Sequence, residues 1–266
     1  MNRHRLFWGI LIILLGVMLL LNTFGILTIN AWQIFWPLIL VLAGGWLLIG
    51  PFIFRRSQNP QNVTVPLEGA PALKVKVNHG AGRMHIGPAP KGSRDALSGV
   101  FVGGVEANTH MSGSELKIRL KTPSDFFWGF PPLSGFEGFS WDFNLNQDVP
   151  LRLVIRSGAN ESTLDLRDLK VTDLSLETGA SSTQIIMPSA AGFTSGTIQT
   201  GASSVQIQVP DGVAGHFEIK HGLAGIQVDT TRFANSGNIY ETPGFASYPN
   251  RIQMTIETGV GSIEIR

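Results

Sequence analysis

A chain of 266 residues, 43% of them hydrophobic, with a formal net charge of +1, has room for one or two domains with a real core. It contains no cysteine, which excludes a disulfide framework and any thiolate-based metal or redox site. The small net charge hides a division: residues 6–54 hold no Asp, Glu, Lys, Arg or His, whereas the chain from Ser57 onward carries sixteen basic and nineteen acidic residues, a net −3.

The first elements are two apolar stretches, LFWGILIILLGVMLLLNTFGIL over residues 6–27 and AWQIFWPLILVLAGGWLLIGPFIF over residues 31–54. Each reaches the roughly 20 residues that a helix needs to cross a bilayer, so a two-helix transmembrane hairpin is expected over residues 1–56. A cleaved signal peptide is the rival reading of the first stretch. It is disfavoured because no small-residue cleavage pattern follows and a second apolar segment comes at once. Trp32 and Trp36 stand where an aromatic belt would form, and Pro37 falls near a helix start, where its missing N–H costs little. Gly9 and Gly16 share a face and could let the helices approach, although chance spacing gives the same pattern. Arg3 and Arg5 precede the first stretch, Arg55 and Arg56 follow the second, and the connection at residues 22–30 is uncharged. The positive-inside rule then places both termini, and the large C-terminal part, on the cytoplasmic side of the membrane.

A short polar linker, residues 57–62, leads to a repeat-bearing region at 63–266. Its reference points are Gly80, Gly158, Gly179, Gly201, Gly222 and Gly259. Three residues before them stand Val77, Ile155, Leu176, Ile198, Ile219 and Ile256. Six residues after them stand Ile86, Leu164, Ile185, Ile207, Val228 and Ile265. Alternation of period two on both sides of a glycine reads as strand, corner, strand, with glycine supplying the positive φ or the close approach that the corner needs. Successive glycines lie 78, 21, 22, 21 and 37 residues apart, so the middle copies keep a nearly constant period and the long intervals mark insertions over residues 95–150 and 230–250. One copy cannot bury its apolar stripe alone, whereas stacked copies share a continuous core. The expected architecture is a membrane-anchored all-β domain of β-solenoid or β-helix type, right-handed by the general preference of parallel crossovers.

Stacking also predicts outward columns. Gln184, Gln206, Gln227 and Glu264 form one; Asn78, Arg156, Glu177, Gln199, Lys220 and Glu257 form another, in which Arg156 should meet Glu177. A carbohydrate-binding face is the functional rival for these columns. The first insertion contains Phe126, Phe127, Trp128, Phe130, Phe136, Phe139, Trp141 and Phe143, eight of the 24 aromatic residues, a density that demands an apolar cover. It reads either as a cap folded over one end of the stack or as a contact for a membrane surface or membrane-bound partner. The last strand, SIEIR ending at Arg266, is read as a possible edge for a partner or a second copy.

Reactive constellations are not evident. Asp165, Asp168 and Asp173 form the best acidic cluster, but paired-carboxylate chemistry needs one carboxyl held protonated in apolar surroundings, and DLRDLKVTD does not suggest that. His79 and His221 occupy the same slot before a repeat glycine and read as corner residues, since a metal would need three or four convergent ligands. The segments GAGRMH and GVGSIE lack the setting of a phosphate-binding loop. No catalytic, cofactor or metal residues are expected, and the negative β region without a basic tract argues against nucleic acid.

The segment FWGILIILLGVMLLLNTFGIL followed by FWPLILVLAGGWLLIG resembles the transmembrane region of LiaI and LiaF proteins of bacterial cell-envelope stress systems. The glycine-centred repeats resemble the toastrack, or adhesin-type, domain often attached to such regions. The resemblance implies a non-enzymatic membrane regulator or scaffold that restrains a sensor histidine kinase; a homo-oligomer is compatible with it. The better-known LiaF arrangement has four apparent spans where this sequence has two. An adhesin-like or structural module is the alternative, and a glycan-active enzyme the third reading.

Overall fold

The computed structural model describes residues 60–123 and 139–266. The two apolar stretches, Arg3, Arg5, Arg55 and Arg56, and the aromatic residues Phe126, Phe127, Trp128, Phe130 and Phe136 lie outside the described residues. The chain divides into two compact units, residues 1–56 and 57–266, and all the described residues belong to the second. Among them no helix is long and apolar enough to cross a membrane.

Thirteen strands of the described residues join one sheet: β1 (Gln61–Pro66), β2 (Ala72–Pro88), β3 (Asp95–Val102), β4 (Glu106–Ser112), β5 (Glu115–Lys121), β6 (Ser140–Leu145), β7 (Leu151–Asp165), β8 (Val171–Ile186), β9 (Phe193–Gln208), β10 (Ala214–Val228), β11 (Ala234–Ser236), β12 (Ile239–Glu241) and β13 (Arg251–Ile265). Six of them are long and parallel, in the spatial order β2-β7-β8-β9-β13-β10. Their buried positions explain how one sheet encloses a core. In β8, Leu174, Leu176 and Thr178 are buried before Gly179, and Thr183 and Ile185 after it. Side chains alternate along a strand, so burial at odd offsets before the glycine and even offsets after it means that the inner face changes parity there and the strand turns a corner. Repeated through the rungs, this gives one continuous core running from Leu73, Val75 and Val77 to Ile263 and Ile265.

Antiparallel strands close the ends. Before the corner, β2 is flanked by β5 and then β4; after the corner it is flanked by β6, β3 and β1. At the opposite end β12 and β11 cover the first half of β10 through His216–Glu218, whereas residues 220–228 of β10 pair only with β13 among the described residues. The stretch 95–150, expected as an insertion, thus supplies four strands of the sheet, and β1 begins at Gln61 within the stretch expected as linker.

Stacking in chain order would leave the last strand at an edge, and here the structure differs. β13 runs between β9 and β10, paired on both sides along its length. The physical reason lies in β10: its outer side is taken by the β12–β11 hairpin formed from the preceding connection, so the chain returns to the inner side. The β13 sequence suits an interior rung, burying Ile252, Met254, Ile256, Ile263 and Ile265, whereas Ile226 and Val228 at the end of β10 are only partly buried.

Candidate interaction surfaces

The six repeat glycines stand in one column, in the order Gly80, Gly158, Gly179, Gly201, Gly259, Gly222. Close approach is the reason for glycine here. A Cβ on Gly158, Gly179, Gly201, Gly259 or Gly222 would lie 2.6–2.9 Å from the carbonyl oxygen of a glycine on a neighbouring rung, inside van der Waals contact. None of the six has positive φ; that conformation occurs two residues later, at Gly82 and Gly261. Inside the corner, the residues preceding the middle glycines are Ser157, Thr178, Thr200 and Thr258, and the Thr200 and Thr258 hydroxyls bond at 2.9 Å.

Outside the corner runs the column Asn78, Arg156, Glu177, Gln199, Glu257, Lys220. Arg156 donates to Glu177 at 2.9 Å, Gln199 to Glu257 at 3.1 Å, and Lys220 lies 3.6 Å from Glu257. A groove of about 690 Å³ runs along this column, and its charged groups are already matched to one another. The second column reads Gln184, Gln206, Glu264, Gln227 in register.

A different surface appears where β5, β2 and β7 meet before the corner. Their inner positions (Leu73, Val75 and Val77; Leu116, Ile118 and Leu120; Leu153 and Ile155) are buried, so the alternate positions face out. Those include Lys74 and Lys76 on β2, Lys117, Arg119 and Lys121 on β5, and Arg152 and Arg156 on β7, with Glu115 on the same side of β5 and Glu106 of β4 opposite Lys121. Register places Lys74 between Lys117 and Arg152, and Lys76 between Arg119 and Val154. With strands about 4.8 Å apart and a rise of about 3.3 Å per residue, seven cations share a patch roughly 10 Å by 13 Å. Arg152 pairs with Glu115, Arg156 with Glu177, and Lys117 donates to Ser112 Oγ at 2.8 Å. Among the described residues no carboxylate lies within ion-pairing reach of Lys74, Lys76 or Arg119. A groove of about 640 Å³ opens between Lys76, Arg119, Lys121 and Arg156, with His79 on its floor. The absence of a contiguous basic tract in the sequence conceals this face. Its signal is the alternation LKVKV, LKIRLK and LRLVIR in three distant segments.

Other residues singled out by the sequence have structural roles. Phe139, Trp141 and Phe143 are buried, with Phe101 stacked on Phe143 and edge-on to Trp141, so these three of the eight aromatic residues belong to the core at the β2 end. Asp165 is bound by Arg167 at 2.6 and 3.0 Å, and this hydrogen bonding holds its carboxyl below the usual range, the reverse of what a proton-donating partner requires. His79 is 2% exposed with neither ring nitrogen hydrogen-bonded, and burial pushes it down to about 4. Among the described residues no three His, Asp or Glu side chains are grouped to hold a metal ion.

A stack of in-register parallel strands around an apolar core, with its charged groups on outer faces, defines an all-β stacked-strand module. The toastrack-type fold is that of a non-catalytic module. The chain belongs to the family described as the N-terminal domain of toast_rack, DUF2154, whose model matches residues 54–208. Residues 7–67 also match the LiaF transmembrane domain. A solved structure described as a candidate cell adhesion protein from Clostridium sporogenes is 20% identical, with a TM-score of 0.71 over 78% of this chain and 98% of its own. A candidate adhesin from Bacteroides fragilis is 8% identical, with a TM-score of 0.32 over 79% of this chain and 98% of its own. No curated protein matches the chain significantly.

Proposed function

We propose that the chain is a membrane-anchored, adhesin-like binding module whose β domain works by surface contact. The observation that carries this reading is the division of the domain. Its interior is filled by alternating aliphatic residues and hydroxyl-lined corners, and Lys74, Lys76 and Arg119, which have no ion-paired carboxylate among the described residues, stand together on one outer face. The likeness to a solved candidate adhesion protein supports the binding role. In this reading residues 6–27 and 31–54 are the anchor, the column glycines are structural corner residues, and residues 126–136 continue the end cap begun by Phe139. The stack would be a right-handed solenoid.

A second reading, control of a sensor kinase in cell-envelope stress signalling, draws its support from the match to the LiaF transmembrane domain. The two readings require opposite topologies if adhesion is extracellular. A reporter fused after Arg266 separates them: activity of a cytosolic reporter sinks extracellular adhesion. Recovery of a histidine kinase with the detergent-extracted chain, together with an altered stress response on deletion, would then support signalling. An unchanged response would count against it.

A further inference from the structure

We infer that the outer face of β5, β2 and β7 is a docking surface for the phosphate-bearing headgroups of an anionic lipid bilayer; the inference rests on the membrane-anchored reading. The face is a regular lattice of side chains around a shallow groove, and Lys74, Lys76 and Arg119 have no ion-paired carboxylate among the described residues. Like charges held one strand apart repel and raise the local potential, so an unoccupied face costs free energy that an anionic surface would recover. The charge is segregated, because the region from Ser57 is net −3 while this face is strongly positive. The groove along the corner column makes the contrast: its charges are matched internally, so it asks for no ligand.

The choice of occupant rests on tethering and charge complementarity. Only residues 57–60 separate Arg56 from β1, and the preceding 56 residues contain two stretches of bilayer-spanning length. A short tether gives the lipid surface an effective concentration on the order of millimolar. Each cation near an anionic bilayer strengthens binding about fivefold. A few unpaired cations are therefore enough for a tethered domain, though not for a free one. A long nucleic acid would have to run beyond the patch onto a domain whose remaining surface is negative.

The test uses the full chain in nanodiscs. Because the chain has no cysteine, Val154→Cys provides one spin-label site on the β7 side of the face, beside Lys76, and Gln206→Cys a control on the outer face of β9 after the corner. Accessibility to a water-soluble paramagnetic reagent is compared in phosphatidylcholine discs and in discs containing phosphatidylglycerol. The expected result is a fall of about threefold or more at the Val154 label in anionic discs only. It should be reversed by about 0.5 M salt, where the Debye length shrinks to about 4 Å. It should also be abolished by combining Lys74→Gln, Lys76→Gln and Arg119→Gln, with the Gln206 label unaffected. These three side chains face solvent, so the fold should survive, and an unchanged circular dichroism melt checks that. Equal accessibility in both discs overturns the lipid face alone. Protection that requires added polyglutamate and not anionic lipid assigns the face to an acidic protein and overturns it too. A chain that enters neither disc overturns the anchored reading and this inference with it.

Discussion

His79 and His221 occupy the same slot at opposite ends of the stack, one residue before the first and last glycines of the column. His79 is sealed against Trp141, with ring centroids 4.6 Å apart, and burial drives its pKa down; His221 is exposed. Four hydroxyl residues fill the slots between them. The pair teaches that a rung's sequence does not set its environment; the cap beyond it does. At the β2 end both halves of the rung are covered, while at the β10 end the half after the corner remains open among the described residues.

The sharpest way to break this comparison is to crowd an interior rung and the open one at neighbouring positions. Gly261 lies on β13 with φ of 134°, and a Cβ there would fall 1.8 Å from the Ser203 carbonyl oxygen. Gly225, opposite the adjacent Ser262 on the end rung, has nothing within 4 Å of the same atom. Backbone strain and overpacking together predict that Gly261→Ala loses about 4 kcal/mol or fails to fold. Gly225→Ala should stay within about 0.5 kcal/mol by urea denaturation. Equal losses would mean that the end rung is covered.

The next effect is a pH dependence belonging to the closed end. His79 titrates at about 4 in the fold, against an ordinary value of 6.5. Below pH 6.5 the unfolded chain takes up this proton first, so stability is full above that pH and falls as the pH drops toward 4. The loss approaches about 3 kcal/mol. His79→Leu, which removes a buried unpaired imidazole, should flatten the decline between pH 6.5 and 4.5.

The same residues show how much of the architecture was legible in the sequence. Period-two alternation and the spacing of the glycines pointed to stacked strands, because both are local properties of each rung. The position of β13 between β9 and β10 was not legible, because the repeats are nearly interchangeable and rung order is decided by the hairpin β11–β12 competing for one edge of β10. The basic face was hidden for a related reason. Lys74, Arg119 and Arg152 each look like ordinary outward positions, and only the register of β5, β2 and β7 makes them neighbours. His79 and His221 look equivalent in sequence, and their slot is the same; the covering Trp141 comes from β6, far along the chain.

The smallest effect concerns the charged column, where order within the stack decides which pairs form. Arg156 and Glu177 are both about half exposed, so their 2.9 Å contact competes with water and with the entropy of two long side chains. A double-mutant cycle with Arg156→Gln and Glu177→Gln should give about 0.2–1 kcal/mol, shrinking with salt. The same cycle with Lys220→Gln and Glu257→Gln tests rung order directly. These residues lie 3.6 Å apart only because β13 sits beside β10, and Gln199, which chain order would place next to Lys220, is bonded to Glu257 instead. A coupling between positions 220 and 257, with none between 199 and 220, is the expected result. The reverse would place β10 against β9 and remove β13 from the interior.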